Sequence, residues 1–236
     1  MDIFSLKQAP ASGYRYTLDS FLLARFSNFK STDTVCDLGA GVGVLGFLLL
    51  SRSGIKKVVS IEVQEEFVAL AKENIQKTGF EKQMQVIHKN WKELPQLFHK
   101  AGFEGVISNP PYRKAKTGRV SPDLSKAVAK HEILGTMQDL FQTAFYLLKP
   151  RGKFCLMYPT LRFEECMSTL EKVRLRIHRL QFIQSYPDKP ANLFMLEAVK
   201  FNPKEPVIEA PLVVYQDSKH YTPAVEEWVG KKIRLL

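Results

Sequence analysis

The sequence predicts an α/β protein: a Rossmann-like, seven-stranded, mainly parallel sheet with an antiparallel last strand pair and helices on both faces. Three observations carry that expectation. Apolar runs of strand length alternate with amphipathic runs of helical spacing from Thr34 to Tyr158, as βαβ units do. A glycine-rich turn, Asp37-Leu38-Gly39-Ala40-Gly41-Val42-Gly43, closes the first apolar run and opens a helical one. Two later runs, Arg176–Gln184 and Phe194–Phe201, are separated by Pro187 and Pro190. Their connection is too short for a parallel crossover, which takes about a dozen residues, so the pair is expected to be antiparallel.

The elements follow in order. Gly13-Tyr14-Arg15-Tyr16-Thr17-Leu18-Asp19-Ser20 precedes the first strand, with Thr17 as a helix N-cap and Asp19 in the first turn. Thr34–Leu38 is the first buried strand, and the helix after the glycine turn runs to about Arg52. Lys57–Glu62 is the second strand. Gln64 to Lys77 is an amphipathic helix, with Phe67, Leu70, Ala71, Asn74 and Ile75 near helical spacing and Gly79 as its stop. Met84–His88 and Gly105–Ser108 are the third and fourth strands. A helix from about Gly135 to Leu148 ends at Lys149-Pro150-Arg151-Gly152, and Lys153–Tyr158 is the fifth strand. A helix at roughly Phe163–Val173 leads into the final pair.

At 236 residues the chain is expected to form one domain. Within it, residues 1–30 form an N-terminal flanking segment, 31–201 a cofactor-binding core and 202–236 a C-terminal extension. Cys36, Cys155 and Cys166 have neither paired nor metal-type spacing, and the histidines form no His-x-x-x-His pair. Cys36 and Cys155 lie in strand-like runs as packing residues. The chain therefore reads as reduced and cytoplasmic, without a metal. Met1-Asp2-Ile3-Phe4-Ser5 lacks the charged and apolar regions of a signal peptide, and Val44–Leu50 is too short to span a bilayer. No feature calls for a membrane or a stable protein partner.

The net charge of +10 gains meaning from its distribution. Arg113, Lys114, Lys116 and Arg119 fall in one stretch without an acidic residue. Basic side chains near phosphates release counterions, so this loop suits a polyanion.

Two motifs carry chemistry. In Asp37–Gly43 the glycines permit a tight turn and a close backbone approach to a ligand. The pattern suits a dinucleotide, but Asp37, two residues before Gly39, repels phosphate and suits an ammonium group. Glu62 ends the second strand, where it can take both hydroxyls of a ribose. S-adenosylmethionine has an ammonium group, a ribose and no phosphate. The cofactor expectation therefore rests on Asp37, Gly39, Gly41, Gly43 and Glu62, with Tyr16 and Thr17 flanking. Asn90, beside Trp91, is either an adenine contact or a helix N-cap. The plainer alternative for the whole motif is a structural glycine turn with solvent-facing acids.

The second motif is Asn109-Pro110-Pro111-Tyr112, after the fourth strand. Two prolines fix φ twice, and Pro110 pushes Asn109 toward an extended conformation. The bend offers an amide, free carbonyls and a ring, but no nucleophile. Methyl transfer from a sulfonium needs little acid–base machinery; its difficulty lies in a poorly nucleophilic amine. The Asn109 oxygen and Pro110 carbonyl are placed to accept the amine's two N–H groups, and Tyr112 to stack on its ring. A base acceptor must first be unstacked. A rigid surface turn is the alternative for these four residues in isolation.

Together these residues resemble the class I S-adenosylmethionine-dependent methyltransferases that modify amino nitrogens. That group includes DNA adenine-N6, rRNA guanine-N2 and protein-glutamine N5 enzymes. Tyr14–Asp19, Ala129-Lys130-His131-Glu132, and Pro211–Tyr215 followed by Tyr221-Thr222 are similar to segments of the bacterial tRNA(Val) adenine-N6 methyltransferase family. The resemblance implies tRNA as partner and methylation of N6 of the adenine beside the anticodon. Carried over, it implies cofactor contacts from Asp37, Gly39, Gly41 and Glu62 and puts the adenine against Asn109, Pro110 and Tyr112. The expected substrate contacts are Arg113, Lys114, Lys116 and Arg119 of the basic loop, with Lys130 and His131 from the family-like segment. Lys130 stands where the family more usually has Arg, which removes a bidentate contact. A helix-starting salt bridge is the alternative for His131 and Glu132. An RNA-binding protein that keeps a methyltransferase fold without activity is the rival from outside enzymology.

Overall fold

The computed structural model describes residues 6–7, 18–110, 135–218 and 220–229. The elements are α1 (Leu18–Phe26), β1 (Thr34–Leu38), α2 (Val44–Leu48), β2 (Lys57–Glu62), α3 (Glu65–Thr78), β3 (Met84–His88), α4 (Leu94–Leu97) and β4 (Phe103–Ser108). They continue with α5 (Met137–Leu147), β5 (Leu148–Pro159), α6 (Phe163–Val173), β6 (Leu175–Gln184), β7 (Ala191–Lys200), β8 (Val207–Ile208), β9 (Leu212–Val213) and α7 (Pro223–Val229).

The strands form one sheet in the order β3-β2-β1-β4-β5-β7-β6-β8, with β9 also on β6. Pairings from β3 to β5 are parallel, and β7 is antiparallel to both β5 and β6. The expected antiparallel pair is therefore present. Among the described residues the sheet has nine strands rather than the expected seven, because the C-terminal extension adds two-residue strands β8 and β9 parallel to β6. Such short strands leave no periodic signature in sequence.

Strand alternation divides the core into two layers. Val35, Val58, Ile107, Cys155, Met157 and Met195 face α1, α2 and α3. Their neighbours Cys36, Val59, Val106, Phe154 and Leu156 face α4, α5 and α6. The two-residue side-chain period of a strand produces this sorting. Phe47, Phe141, Phe154 and Phe194 are fully buried, each contributing on the order of 1.5–3 kcal/mol. The three cysteines are free and buried.

Local chemistry sets the ends. Gly79 takes φ 74° and stops α3 as expected. The helix after the glycine turn ends as a π turn, Leu49–Ser53, before Gly54. α5 starts at a capping box between Thr136 and Asp139. Its end differs from expectation: residues 149–152 are not a free connection but a bulged start of β5. Leu148 pairs with Phe103, the register then shifts, and Lys153 pairs with Gly105. Lys200 Nζ donates to the carbonyls of Phe145 and Leu148 at 2.7 Å each, so a cation meets the negative end of α5.

α1 is fixed against the sheet from the antiparallel side. The Arg179 guanidinium lies 4.4 Å from the Phe26 ring centroid and pairs with Glu209 at 2.9 Å and buried Glu197 at 3.4 Å.

Candidate active site

The carboxyl ends of β1, β2 and β4 meet at one edge of the sheet. β1 lies between β2, which continues toward β3, and β4, which continues toward β5. From β1 the chain crosses over to β2 on one side, and from β3 it returns to β4 on the other. Such a reversal of strand order is the point at which open α/β sheets bind ligands.

The glycine turn bends back over this edge. Gly39, Gly41 and Gly43 take φ values of 79°, 56° and 92°, conformations that cost little only without a Cβ. The Gly39 and Ala40 amides both donate to the Ile61 carbonyl, at 2.9 and 3.0 Å, tying the turn to β2. A Cβ on Gly43 would lie 2.9 Å from Met84 Cε. The glycines thus answer to packing as well as to a ligand.

Asp37 is 0% exposed, and neither of its carboxylate oxygens has a hydrogen-bond partner among the described residues. Burial, and secondarily the Glu62 carboxylate, pushes its pKa from 3.8 to about 8. A buried acid left without donors costs several kcal/mol unless it is protonated or meets a cation. Among the described residues no cluster of three His, Cys, Asp or Glu side chains stands ready for a metal. An organic ammonium group fits the demand.

Glu62 is differently placed. Its Oε2 accepts from the Gly41 amide at 2.8 Å, and its Oε1 from the Val63 and Gln64 amides at 2.9 Å each. The Gln64 side chain donates to it as well. A carboxylate has about four acceptor positions, so Glu62 is saturated by its own chain. Burial raises its pKa, and these hydrogen bonds oppose the rise. Three of these donors are backbone amides fixed by the turn and by the start of α3, and the fourth is the Gln64 side chain.

Asn90 caps the turn Trp91–Glu93: its Oδ1 accepts from the Lys92 amide at 3.0 Å, and Glu93 completes a capping box. The capping alternative is thus realised. Trp91 is 4% exposed, and a Cβ on Gly39 would lie 3.4 Å from its ring, so Trp91 supports the turn from the core.

At the end of β4, Ser108 Oγ donates to the Leu38 carbonyl at 2.7 Å, locking β4 to β1. The next residue, Asn109, directs Nδ2 at Ser20 Oγ on α1, 3.5 Å away, and Pro110 is buried. Pro111, Tyr112, Tyr16, Thr17, Arg113, Lys114, Lys116, Arg119, Lys130 and His131 lie outside the described residues.

A methyltransferase-domain profile matches residues 29–200. The chain belongs to the methyltransferase-domain family. This methyltransferase is 24% identical over 186 residues to a Vibrio vulnificus tRNA1(Val) (adenine(37)-N6)-methyltransferase, covering 79% of this chain and 76% of that one. A Pectobacterium carotovorum protein of the same name is 24% identical over 210 residues, covering 89% and 83%. Among solved structures, a protein from Agrobacterium tumefaciens described as a predicted O-methyltransferase superposes with TM-score 0.70 at 20% identity, over 89% of this chain and 94% of that one. TrmN from Thermus thermophilus gives TM-score 0.55 at 18% identity, over 77% and 48%. These neighbours establish the fold.

Sequence reasoning brought Asp37, Glu62 and Asn109 to one edge and left out two side chains that act on them. Ser20 stood at the end of a quoted segment without a role, and Gln64 was read only as a helix start. Both matter through tertiary contacts that no local pattern encodes.

Proposed function

We propose that this methyltransferase transfers a methyl group from S-adenosylmethionine to the exocyclic N6 amine of an adenine in tRNA, beside the anticodon. One observation carries the reading: a buried, uncompensated carboxylate and an Asn-Pro turn end neighbouring strands, with Asp37 paired to Ile107 in the β1–β4 register. The names of the relatives support tRNA and adenine as the acceptor.

When bound, the cofactor would supply an electrophilic methyl group on a sulfonium. Ionised Asp37 holds the ammonium group. Glu62, once the Gln64 side chain has moved, accepts from the ribose. The turn from Gly39 to Gly43 brings backbone rather than side chain against the ligand.

At the acceptor, the amide orientation is decisive. With Nδ2 of Asn109 directed at Ser20, Oδ1 is proposed to accept one substrate N–H. The Pro110 carbonyl accepts the second N–H. With both hydrogens held, the nitrogen lone pair is turned toward the methyl carbon. In-line placement of this kind supplies roughly 7–11 kcal/mol of a barrier.

The test is transfer of radiolabelled methyl groups into total unmodified tRNA, followed by nucleoside analysis. N6-methyladenosine is expected. Label in methylated guanine, or only in protein, overturns the proposal.

A further inference from the structure

Three tyrosines form a stack at the same edge of the sheet. Tyr215 and Tyr221 lie with ring centroids 5.3 Å apart and planes 20° from parallel, and Tyr186 lies 5.5 Å from Tyr215 at 35°. The register places them. β6 and β9 run parallel, with Gln184 beside Val213, and Pro159 of β5 lies across from Leu193 of β7. Residues following β6 and β9 therefore emerge on the side where β4 delivers Asn109. Tyr215 and Tyr221 share a hydrophobic cluster with Leu18, Phe21 and Leu22 of α1, and burial, Tyr186 and the Asp19 carboxylate raise the pKa of the Tyr215 hydroxyl. Asp19 precedes Ser20, the residue facing Asn109.

Backbone hydrogen bonds, beside the packing of Tyr215 and Tyr221 on the core, hold the C-terminal extension in place. The Tyr215 amide donates to Ser185 at 2.9 Å and the Val214 amide to Gln184 at 2.8 Å. The Thr222 amide donates to Val214 at 2.9 Å and the Gln216 amide to His220 at 3.0 Å. Tyr221 is 8% exposed and closes the inner end of the stack. Tyr186, half-buried, forms the outer end on a turn closed by the Lys189 amide and the Tyr186 carbonyl. On the same rim, Leu161 after β5 is 98% exposed.

We propose that the outer face of Tyr186, backed by Tyr215, forms a second base-stacking subsite, which takes an unstacked nucleobase adjacent to the acceptor in the same RNA chain. The inference rests on RNA being the substrate. A base extruded into the site leaves its neighbours unstacked, and a rigid aromatic face beside the mouth replaces the stacking they lose.

Steady-state methylation of total unmodified tRNA tests it with Tyr186→Ala and Tyr186→Phe. Tyr186→Ala is expected to raise KM for tRNA by about ten-fold, with kcat, cofactor affinity and melting temperature close to wild type; Tyr186→Phe restores KM. An unchanged KM in Tyr186→Ala, or a Phe variant as impaired as Ala, overturns the subsite while leaving the methylation assignment standing. No methyl transfer to RNA by wild type overturns both. Should Tyr186→Ala fold poorly, irradiation of wild type with an anticodon stem-loop carrying 5-iodouridine beside the acceptor decides. Adducts on the Tyr186 or Tyr215 peptides support the subsite, and adducts confined to other peptides overturn it.

Discussion

Asp37 shows how a single residue can trade stability for binding. Its folded pKa is raised from 3.8 to about 8, so between these values the folded state holds a proton that the unfolded state releases. Stability contributed by this group is present below about pH 4, falls as pH rises through the window, and is gone above about pH 8. Asp37→Asn is expected to melt several degrees above wild type at about pH 8, the margin shrinking toward pH 4, in thermal scans. The same variant loses roughly a hundred-fold or more in cofactor affinity by calorimetry, because a buried ammonium would then lack its counter-charge. In wild type, cofactor affinity weakens as pH drops below about 8, approaching ten-fold per unit. Gln64→Ala removes an internal competitor for Glu62 and is expected to tighten cofactor binding by up to about five-fold. Asn109→Ala is expected to lower kcat by about a hundred-fold while cofactor affinity stays within about two-fold, read by single-turnover kinetics beside calorimetry.

At the scale of the element, β1, β2 and β3 were legible to the residue, because each is an unbroken run ended by a turn or a charged position. The glycine turn and Gly79 were legible because a positive φ leaves few residues to choose from. β5 was not. Lys149-Pro150-Arg151-Gly152 reads as a loop, and only the partner Phe103, distant in sequence, draws Leu148 into the sheet. β8 and β9 escaped for the same reason: two residues pair because β6 offers an edge, not because they favour a strand. α5 owes its start to a reciprocal cap, so Thr136→Ala is expected to cost about 1 kcal/mol, lowering the melting temperature by about 2–4 °C. The candidate site divides in the same way. Asp37, Glu62 and Asn109 announce themselves by type and by position at strand ends, whereas Gln64 and Ser20 matter only through what folding places beside them.

Across the whole molecule, the proposed reaction puts the cofactor at the ends of β1 and β2 and the acceptor at the end of β4, with the antiparallel strands extending the rim beyond. Neighbours named for methylating geranyl diphosphate and ribosomal protein L11 share this fold, so the fold alone does not choose the substrate. Neutralising Arg113, Lys114 and Lys116 together is expected to weaken tRNA binding and to reduce the salt slope by about 0.9 for each phosphate that no longer meets a cation, in titrations at several ionic strengths. The strand order carries one more consequence, for synthesis. β7 sits between β5 and β6 although it follows both in the chain. Until residue 200 has left the ribosome, β5 has no antiparallel partner, and a strand whose residues 154–157 end fully buried stands as a bare apolar edge. Such edges pair with other chains. The nascent protein is therefore expected to depend on the prompt arrival of its last long strand, and chains cut short before β7 are expected to aggregate more than the full chain in a sedimentation assay.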